Sequence, residues 1–167
     1  MKLVILGNSG SGKTWLANRI ANVTHTPVVH LDEFFWQPGG FNAKRSATEI
    51  AESILRARAL QSWIVEGVFG ELAEAFLPDA HAMLWLDMDW KLCHQRIRHR
   101  GNERAAEQGG EQFDAGTEKL VAWAADYFTR TDKRSHIGHH LLFDGFGGSK
   151  LRLTDTEAVE IHLSTYR

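Results

Sequence analysis

The sequence predicts an α/β protein with a parallel sheet, and three observations support this class. Short, continuously apolar runs such as LVIL and WIV recur along the chain, as is typical of strands that are buried on both faces. Longer segments with helical spacing of their apolar residues alternate with these runs, which indicates helical crossovers between parallel strands. A glycine-rich stretch stands between the first strand and the first helix. The alternation predicts a three-layer α/β/α arrangement.

Strands and helices are predicted in alternation along the whole chain. The strands cover residues 2–6, 27–31, 62–67, 81–89 and 139–146. The helices cover residues 14–23, 46–61, a segment that begins at Asp89, 117–130, and a segment that begins at Thr154. Ser46 with Glu49, and Thr154 with Glu157, match the capping-box pattern of helix starts. Residues 102–116 contain three glycines and few apolar residues, so we expect a mobile loop or lid there.

Composition and charge are those of an ordinary globular protein. The 167 residues are 43% apolar and 24% charged, which suits one domain with a buried core and argues against disorder. The net charge of −2 gives no overall attraction to nucleic acid or to anionic membrane. Cys93, the single cysteine, is expected to be a small buried apolar residue in a reducing compartment. No apolar run approaches about 20 residues, so we expect one cytoplasmic domain over residues 1–167.

The glycine-rich stretch GNSGSGKT matches the pattern G-x-x-x-x-G-K-[ST] in full. Glycines let the backbone wrap around phosphate oxygens with its N–H groups pointing inward, and the following helix adds positive partial charge. We expect the lysine to contact the β- and γ-phosphates of ATP and the threonine hydroxyl to ligate Mg²⁺. The predicted nucleotide-binding residues are Gly7, Asn8, Ser9, Gly10, Ser11, Gly12, Lys13 and Thr14.

The motif alone does not separate GTPases, ATP-driven motors and small-molecule kinases. The chain has no NKxD motif for reading guanine, and it is too short for the oligomerising and sensor elements of a motor. Phosphoryl transfer needs positive charge around the γ-phosphate beyond the lysine and Mg²⁺. Arg96 and Arg100 can supply it, because they lie four residues apart on one predicted helix face that leads into 102–116. A small kinase is therefore the leading interpretation.

Three further segments, LDEFFWQPGGF, WIVEGVFG and LWLDMDWKLCHQRIRHR, resemble the nucleoside monophosphate kinase group of P-loop proteins. Within that group the chain is most similar to the adenylate-kinase-related proteins known as DNA topology modulation proteins. The resemblance implies a P-loop NTPase fold whose five-stranded parallel sheet has the order 2-3-1-4-5. It also implies an acceptor-binding segment at about 32–61 and a short helical lid at about 100–116. The chain departs from the family at Glu66, where the family has aspartate, and at Val68-Phe69, where it has Asn-Tyr.

The predicted strand ends supply candidates for the acceptor side. Asp32 follows the second strand at the carboxyl edge of the sheet, where its carboxylate would accept the acceptor's proton or help to hold Mg²⁺. Trp36 is predicted to line the acceptor pocket, although Phe34, Phe35 and Trp36 can also simply anchor a helix on the sheet. By resemblance, Glu66 would hold Mg²⁺ through water beside the substrate.

The resemblance also implies candidates on the ATP side. Arg96 and Arg100 would clamp the ATP phosphates when the lid closes. Arg130 and Arg134 follow the next helix, and related kinases return an arginine to the site from there. A loop after the predicted fifth strand would pack on adenine, and its candidate residues are Gly147, Gly148 and Ser149.

Three functions stay open from the sequence. The first is a kinase that transfers the γ-phosphate of Mg²⁺–ATP to a nucleotide or another small acceptor. The second, which the family label suggests, is a regulator linked to DNA topology, although the low net charge makes a nucleic-acid partner a weak expectation. The third is an ATP-binding switch with little turnover, which the departure at Glu66 keeps open. The sequence names neither the acceptor nor the oligomeric state.

Overall fold

A computed structural model describes residues 1–38, 43–107 and 115–166 of the chain. Strands and helices alternate through most of it. The elements, in chain order, are β1 (Lys2–Gly7), α1 (Lys13–Thr24), β2 (Val28–His30), α2 (Leu31–Phe35), α3 (Ala47–Arg58), β3 (Trp63–Gly67), α4 (Gly70–Ala73), β4 (Ala82–Leu86), α5 (Trp90–Glu107), α6 (Ala115–Ala125), α7 (His136–Gly145), β5 (Ser149–Leu153) and α8 (Thr156–Ser164). Two 3₁₀ helices cover Glu74–Asp79 and Asp126–Phe128.

The five strands form one parallel sheet in the order β2-β3-β1-β4-β5, which confirms the predicted strand order. The register aligns Gly7 with Leu86, His30 with Glu66, and Leu86 with Leu153. All strands therefore end at the same edge of the sheet. This carboxyl edge is where ligands bind in open α/β sheets, so it is the place to look for a site.

The predicted position of the fifth strand is wrong. Residues 139–146 belong mainly to helix α7, and the fifth strand is β5. The α7 segment is apolar enough to resemble a buried strand, but Ser135 caps it as a helix by accepting a hydrogen bond from the Gly138 N–H. The true strand has four exposed residues out of five because it lies at the edge of the sheet, so it gives no buried-strand signal.

Both faces of the sheet carry an apolar core. The face covered by α3 and α7 includes Trp63, Phe76 and Trp85 among its buried side chains. The face covered by α1 and α8 includes Leu16, Ile20 and Cys93. Cys93 is fully buried, as predicted, and burial raises the pKa of its thiol to about 11. No helix in the described part of the chain is long and apolar enough to cross a membrane.

Two predicted helix starts have different outcomes. Helix α3 begins with the predicted capping box, because the Ser46 hydroxyl accepts from the Glu49 N–H and the Glu49 carboxylate accepts from the Ser46 N–H. Helix α8 is capped by Asp155, which accepts from the Ala158 N–H, and not by Thr154. Asp155 is the stronger choice because its charge also complements the positive helix end.

The expected loop at 102–116 is helical over its first part. Helix α5 continues to Glu107, residues 108–114 lie outside the described part, and α6 begins at Ala115. Helices α5 and α6 approach closely at Gly101, where an added Cβ would lie 2.5 Å from the Thr117 hydroxyl. Residues 102–107 are thus helical, and a lid at about 100–116 stays a prediction.

Candidate active site

The loop between β1 and α1 adopts a left-handed backbone conformation that favours glycine at two positions. Gly10 and Gly12 have φ of 78° and 101°. A side chain at Gly10 would also collide with the Cys93 carbonyl oxygen, 2.4 Å from an added Cβ. Asn8 anchors the other end of the loop, since its side-chain amide donates to the Ala124 carbonyl and its Oδ1 accepts from the Ser9 N–H, at 2.9 and 2.8 Å. The loop is thus fixed against α5 on one side and α6 on the other.

Lys13 is the charged residue at the centre of this loop. Only 8% of it is exposed, and its ammonium donates to the Asn8 carbonyl oxygen at 2.8 Å. Burial lowers its pKa, and the nearby carboxylates of Glu66 and Asp32 oppose that shift. The positive charge of Arg100 is close enough to lower the pKa further. A buried cation between a phosphate-binding loop and two carboxylates suits a ligand that carries both phosphate and Mg²⁺.

Thr14 and Glu66 come together beside Lys13. The Thr14 hydroxyl donates to Oε1 of Glu66 at 3.1 Å, and the His30 ring nitrogen Nδ1 lies 2.7 Å from the same oxygen. Burial alone would raise the pKa of Glu66, but the hydrogen bond from His30 and the charge of Lys13 hold it below its ordinary value. Hydroxyl and ionised carboxylate oxygens are ligands that Mg²⁺ prefers, so this donor set fits the predicted metal.

Asp32 lies in the first turn of α2, directly after β2. Asp32 is partly open to solvent, but the surrounding protein desolvates its carboxyl group and raises its pKa, and the charge of Lys13 partly opposes that shift. The structure therefore brings together Lys13, Asp32 and Glu66 at the carboxyl edge. A carboxylate with a raised pKa takes up a proton more readily than an ordinary aspartate does.

Arg96 contacts the phosphate-binding loop directly. Its Nη1 donates to the Ser11 carbonyl at 2.9 Å, and its Nη2 lies 3.4 Å from the Thr156 hydroxyl at the start of α8. Arg100 lies one turn further along α5, is exposed, and donates no hydrogen bond within the described residues. Among the described residues, Arg96 is thus hydrogen-bonded to the loop and Arg100 is not.

Two aromatic rings pack together where the chain leaves β2 and β3. The rings of Phe35 and Phe69 stack with centroids 4.5 Å apart, and the guanidinium of Arg134 lies 4.4 and 4.7 Å from those centroids. Glu71 holds Arg134, because its Oε1 accepts from Nε at 2.6 Å. Trp36 is partly buried, packs against the same apolar core and meets Phe35 edge-on. Phe35 is thus the anchoring ring, and contact of Trp36 with an acceptor stays a prediction.

Comparison with solved structures identifies the architecture. The chain is similar to a gluconokinase from Sinorhizobium meliloti 1021, with a TM-score of 0.53 and 16% identity over 99% of this chain and 90% of that chain. It is similar to a shikimate kinase from Acinetobacter baumannii solved in complex with shikimate, with a TM-score of 0.57 and 11% identity over 98% and 89%. A shikimate kinase from Bacteroides thetaiotaomicron gives a TM-score of 0.57 at 13% identity over 99% and 95%. The chain has a P-loop kinase fold. No family model and no curated protein matches the sequence.

The predicted adenine-side glycines are in the wrong place for a P-loop kinase fold. Gly147 and Gly148 precede β5, whose first residue Ser149 pairs with Ala82 at the start of β4. They therefore lie at the amino edge, opposite the phosphate-binding loop. The error follows from the misplaced fifth strand. The loop that does leave β5 at the carboxyl edge begins at Thr154, and Arg96 connects it to the phosphate-binding loop.

Arg130, a candidate from the sequence, and Asp87, at the same edge of the sheet, are both held by contacts within the protein. Arg130 donates to the Trp123 and Arg134 carbonyl oxygens and covers the Trp123 ring. Asp87, directly after β4, forms an ion pair with Arg152, and its Oδ1 lies 3.1 Å from Nε2 of His136. These contacts support a structural role for both residues.

The sequence did not predict a buried hydrogen-bond network that connects Trp85 in β4, through Tyr127 and His139, to the chain just after β3. The Trp85 indole donates to the Tyr127 hydroxyl at 3.2 Å, this hydroxyl lies 2.9 Å from Nδ1 of His139, and Nε2 of His139 lies 2.9 Å from the Val68 carbonyl oxygen. Burial lowers the pKa of His139 to about 3, so its ring is neutral. Since the carbonyl can only accept, Nε2 carries the proton and Nδ1 accepts from the hydroxyl. The network holds the chain just after Glu66.

Proposed function

We propose that the chain is an ATP-dependent phosphotransferase that acts on a small molecule with a hydroxyl group or on a nucleotide. The observation that carries this proposal is the convergence of Lys13, Asp32 and the Thr14–Glu66 pair at one edge of the sheet. A kinase needs a phosphate-binding cation, oxygen ligands for Mg²⁺ and an acid on the acceptor side, and this edge provides all three.

On the ATP side, each residue has a distinct task. The loop N–H groups and Lys13 bind the phosphates, and Arg96 and Arg100 add positive charge where negative charge develops on transfer. Thr14 and Glu66 would hold Mg²⁺, which when bound neutralises phosphate charge. In place of Gly147 and Gly148, the loop that begins at Thr154 would pack on the base.

On the acceptor side, Asp32 takes the proton of the attacking hydroxyl. The acceptor oxygen forms a bond to the γ-phosphorus as the bond between that phosphorus and the bridging oxygen of ADP breaks. The raised pKa of Asp32 favours this proton uptake. Arg134, held by Glu71 over the Phe35–Phe69 stack, leaves its Nη1 to bind an oxygen of the acceptor. We infer that the acceptor segment, about 32–61, is completed by Phe69 and Arg134.

The kinases that share this fold suggest acceptors to test. The neighbours are named for gluconate and shikimate, which are hydroxy acids that carry a carboxylate. A nucleoside monophosphate, as the family resemblance suggests, also offers an anionic group with an oxygen to phosphorylate. Arg134 suits an anion of either kind. The link to DNA topology, the lid and the cytoplasmic location stay predictions.

The proposal is tested by measuring ADP release from Mg²⁺–ATP with a panel of hydroxy acids, sugars and nucleoside monophosphates. We expect at least one acceptor to raise ADP release above background hydrolysis in the wild-type protein. Asp32→Asn should bind ATP normally and lose that increase. If Asp32→Asn retains the full acceptor-dependent rate, Asp32 is not the proton acceptor.

A further inference from the structure

His30 and Glu66 are neighbours in the sheet and meet near its carboxyl edge. The register of β2 and β3 places His30 directly opposite Glu66. Nδ1 of His30 lies 2.7 Å from Oε1 of Glu66, which is within the range of a hydrogen bond to a charged group. An ionised carboxylate can only accept, so Nδ1 carries the proton and donates it to this bond. The direction of the contact is therefore fixed, from the histidine to the carboxylate.

Both hydrogen bonds to the Glu66 carboxylate end on the same oxygen. The Thr14 hydroxyl donates to Oε1 at 3.1 Å, and His30 donates to Oε1 as well. Within the described residues, Oε2 accepts no hydrogen bond. Each carboxylate oxygen can accept about two hydrogen bonds, so Oε2 keeps its full capacity. The protein thus holds one oxygen and leaves the other available to a metal ion or to a water on it.

The length of the Glu66 side chain explains why a second contact is needed. A glutamate has three side-chain torsions, so its carboxylate can take many positions unless contacts fix it. Thr14 is not sufficient, because its hydroxyl is itself a proposed ligand of Mg²⁺. His30 comes from the neighbouring strand and is not a proposed ligand. Its side chain is only 30% exposed, so the bond is partly sheltered from water and can persist when the ion is bound.

We propose that His30 is a positioning residue for the Mg²⁺ site: its Nδ1–H holds Oε1 of Glu66, so that Oε2 is presented to the ion or to a water bound to it. Side chains that serve a metal are commonly oriented by such hydrogen-bond partners. The inference rests on the proposed function, because it takes Thr14 and Glu66 to serve Mg²⁺ beside a bound nucleotide. His30 acts through Glu66 and needs no contact with the ion.

The test measures binding of the non-hydrolysable ATP analogue AMP-PNP by isothermal titration calorimetry, with excess Mg²⁺ and with EDTA. The ratio of the two affinities reports on the metal and does not depend on turnover. We expect His30→Leu to lower this ratio by about tenfold or more and to leave the affinity in EDTA unchanged. His30→Asn should restore most of the ratio, because its amide N–H can replace Nδ1–H. His81→Leu is the matched control, since His81 is exposed and precedes β4 at the opposite edge of the sheet.

A double-mutant cycle shows whether His30 acts through Glu66. Glu66→Gln removes the carboxylate charge and should lower the ratio by itself. Adding His30→Leu to Glu66→Gln should lower the ratio further by less than about twofold, because the group that His30 positions no longer serves the metal.

An unchanged ratio in His30→Leu overturns the inference, as does an equal loss of affinity with Mg²⁺ and with EDTA, which would indicate damage to the phosphate-binding loop. His30→Asn behaving like His30→Leu also overturns it, as does an undiminished effect of His30→Leu in the Glu66→Gln protein. If the wild type binds the analogue equally well in EDTA, nucleotide binding stands and the role of His30 falls. If the wild type binds it in neither condition, the proposed function fails together with the inference.

Discussion

The Thr14 hydroxyl donates a 3.1 Å hydrogen bond to Oε1 of Glu66, a residue 52 positions away in the chain. This contact joins the end of the phosphate-binding loop to the end of β3. In the family that the sequence resembles, an aspartate stands at the position of Glu66. The longer side chain reaches both Thr14 and His30, so the departure from the family pattern preserves a carboxylate at the proposed Mg²⁺ site.

Replacing Glu66 with glutamine should selectively weaken the binding of Mg²⁺. The change keeps the shape of the side chain and removes the charge that would attract Mg²⁺, so the Mg²⁺ concentration for half-maximal activity should rise by about tenfold or more. The measurement is a Mg²⁺ titration of turnover at saturating ATP. Glu52→Gln, which changes an exposed carboxylate on α3, serves as the control. An unchanged titration curve would show that Glu66 does not serve the metal.

Replacing Lys13 with methionine should weaken nucleotide binding without unfolding the protein. Hydrogen bonds from a charged donor contribute about 1.5 to 3 kcal/mol, so ATP affinity should fall by about 10- to 100-fold. Burial disfavours the charged form of Lys13, so the apolar replacement should leave the melting temperature equal or higher. A fall in melting temperature with ATP affinity intact would contradict both assignments.

The His30–Glu66 pair should stabilise the fold most between about pH 4.5 and pH 6.5. The hydrogen bond to Glu66 raises the pKa of His30 above 6.5, so its contribution is complete below pH 6.5 and is lost as the pH rises through the folded value. The pKa of Glu66 lies below 4.5, despite the opposing effect of burial, because of His30 and Lys13. Its contribution is therefore complete above pH 4.5 and is lost at lower pH.

Urea unfolding of the wild type and His30→Gln at about pH 5.5 and about pH 8.5 measures this dependence. The difference in the free energy of unfolding between the two proteins should shrink at the higher pH. His99→Gln is the control, because His99 is exposed on α5. A difference that grows with pH would show that His30 is neutral in the pair.

Removing the His139 ring should destabilise the whole domain. His139→Ala leaves the Tyr127 hydroxyl and the Val68 carbonyl oxygen buried without these partners, at a cost of about 2 to 5 kcal/mol in the free energy of unfolding. His140→Ala, one residue further along α7 and partly exposed, should cost less than about 0.5 kcal/mol. Similar losses for the two variants would exclude a special role for the network.

The parts of the site that depend on local sequence were predictable. Gly10, Gly12, Lys13 and Thr14 form a motif whose backbone shape follows from its glycines, and the capping box at Ser46 is equally local. The resemblance supplied the strand order. Residues that act through tertiary contacts left no local signal, such as Phe69 and Glu71, which meet Arg134 only in the folded chain.

The fifth strand shows that apolar patterns alone do not locate an edge strand or separate a strand from a short helix. The sequence HHLLF has the apolar density of a buried strand but folds as a helix, whereas SKLRL at the sheet edge is mostly exposed. An edge strand needs little apolar character, because one long side of it faces solvent. His30 could have been predicted as a site residue. It is the last residue of β2 and lies close to Asp32 in the sequence, at the carboxyl edge where ligands bind in such sheets.

A single-turnover experiment with ATP labelled at the γ-phosphate tests the central claim most directly. The label is followed after mixing the protein with Mg²⁺ and each acceptor of the panel, in the wild type and in Asp32→Asn. The account predicts that the label moves onto one acceptor in the wild type and stays in ATP in the variant. Label that appears only as inorganic phosphate, or that stays in ATP with every acceptor, would contradict it.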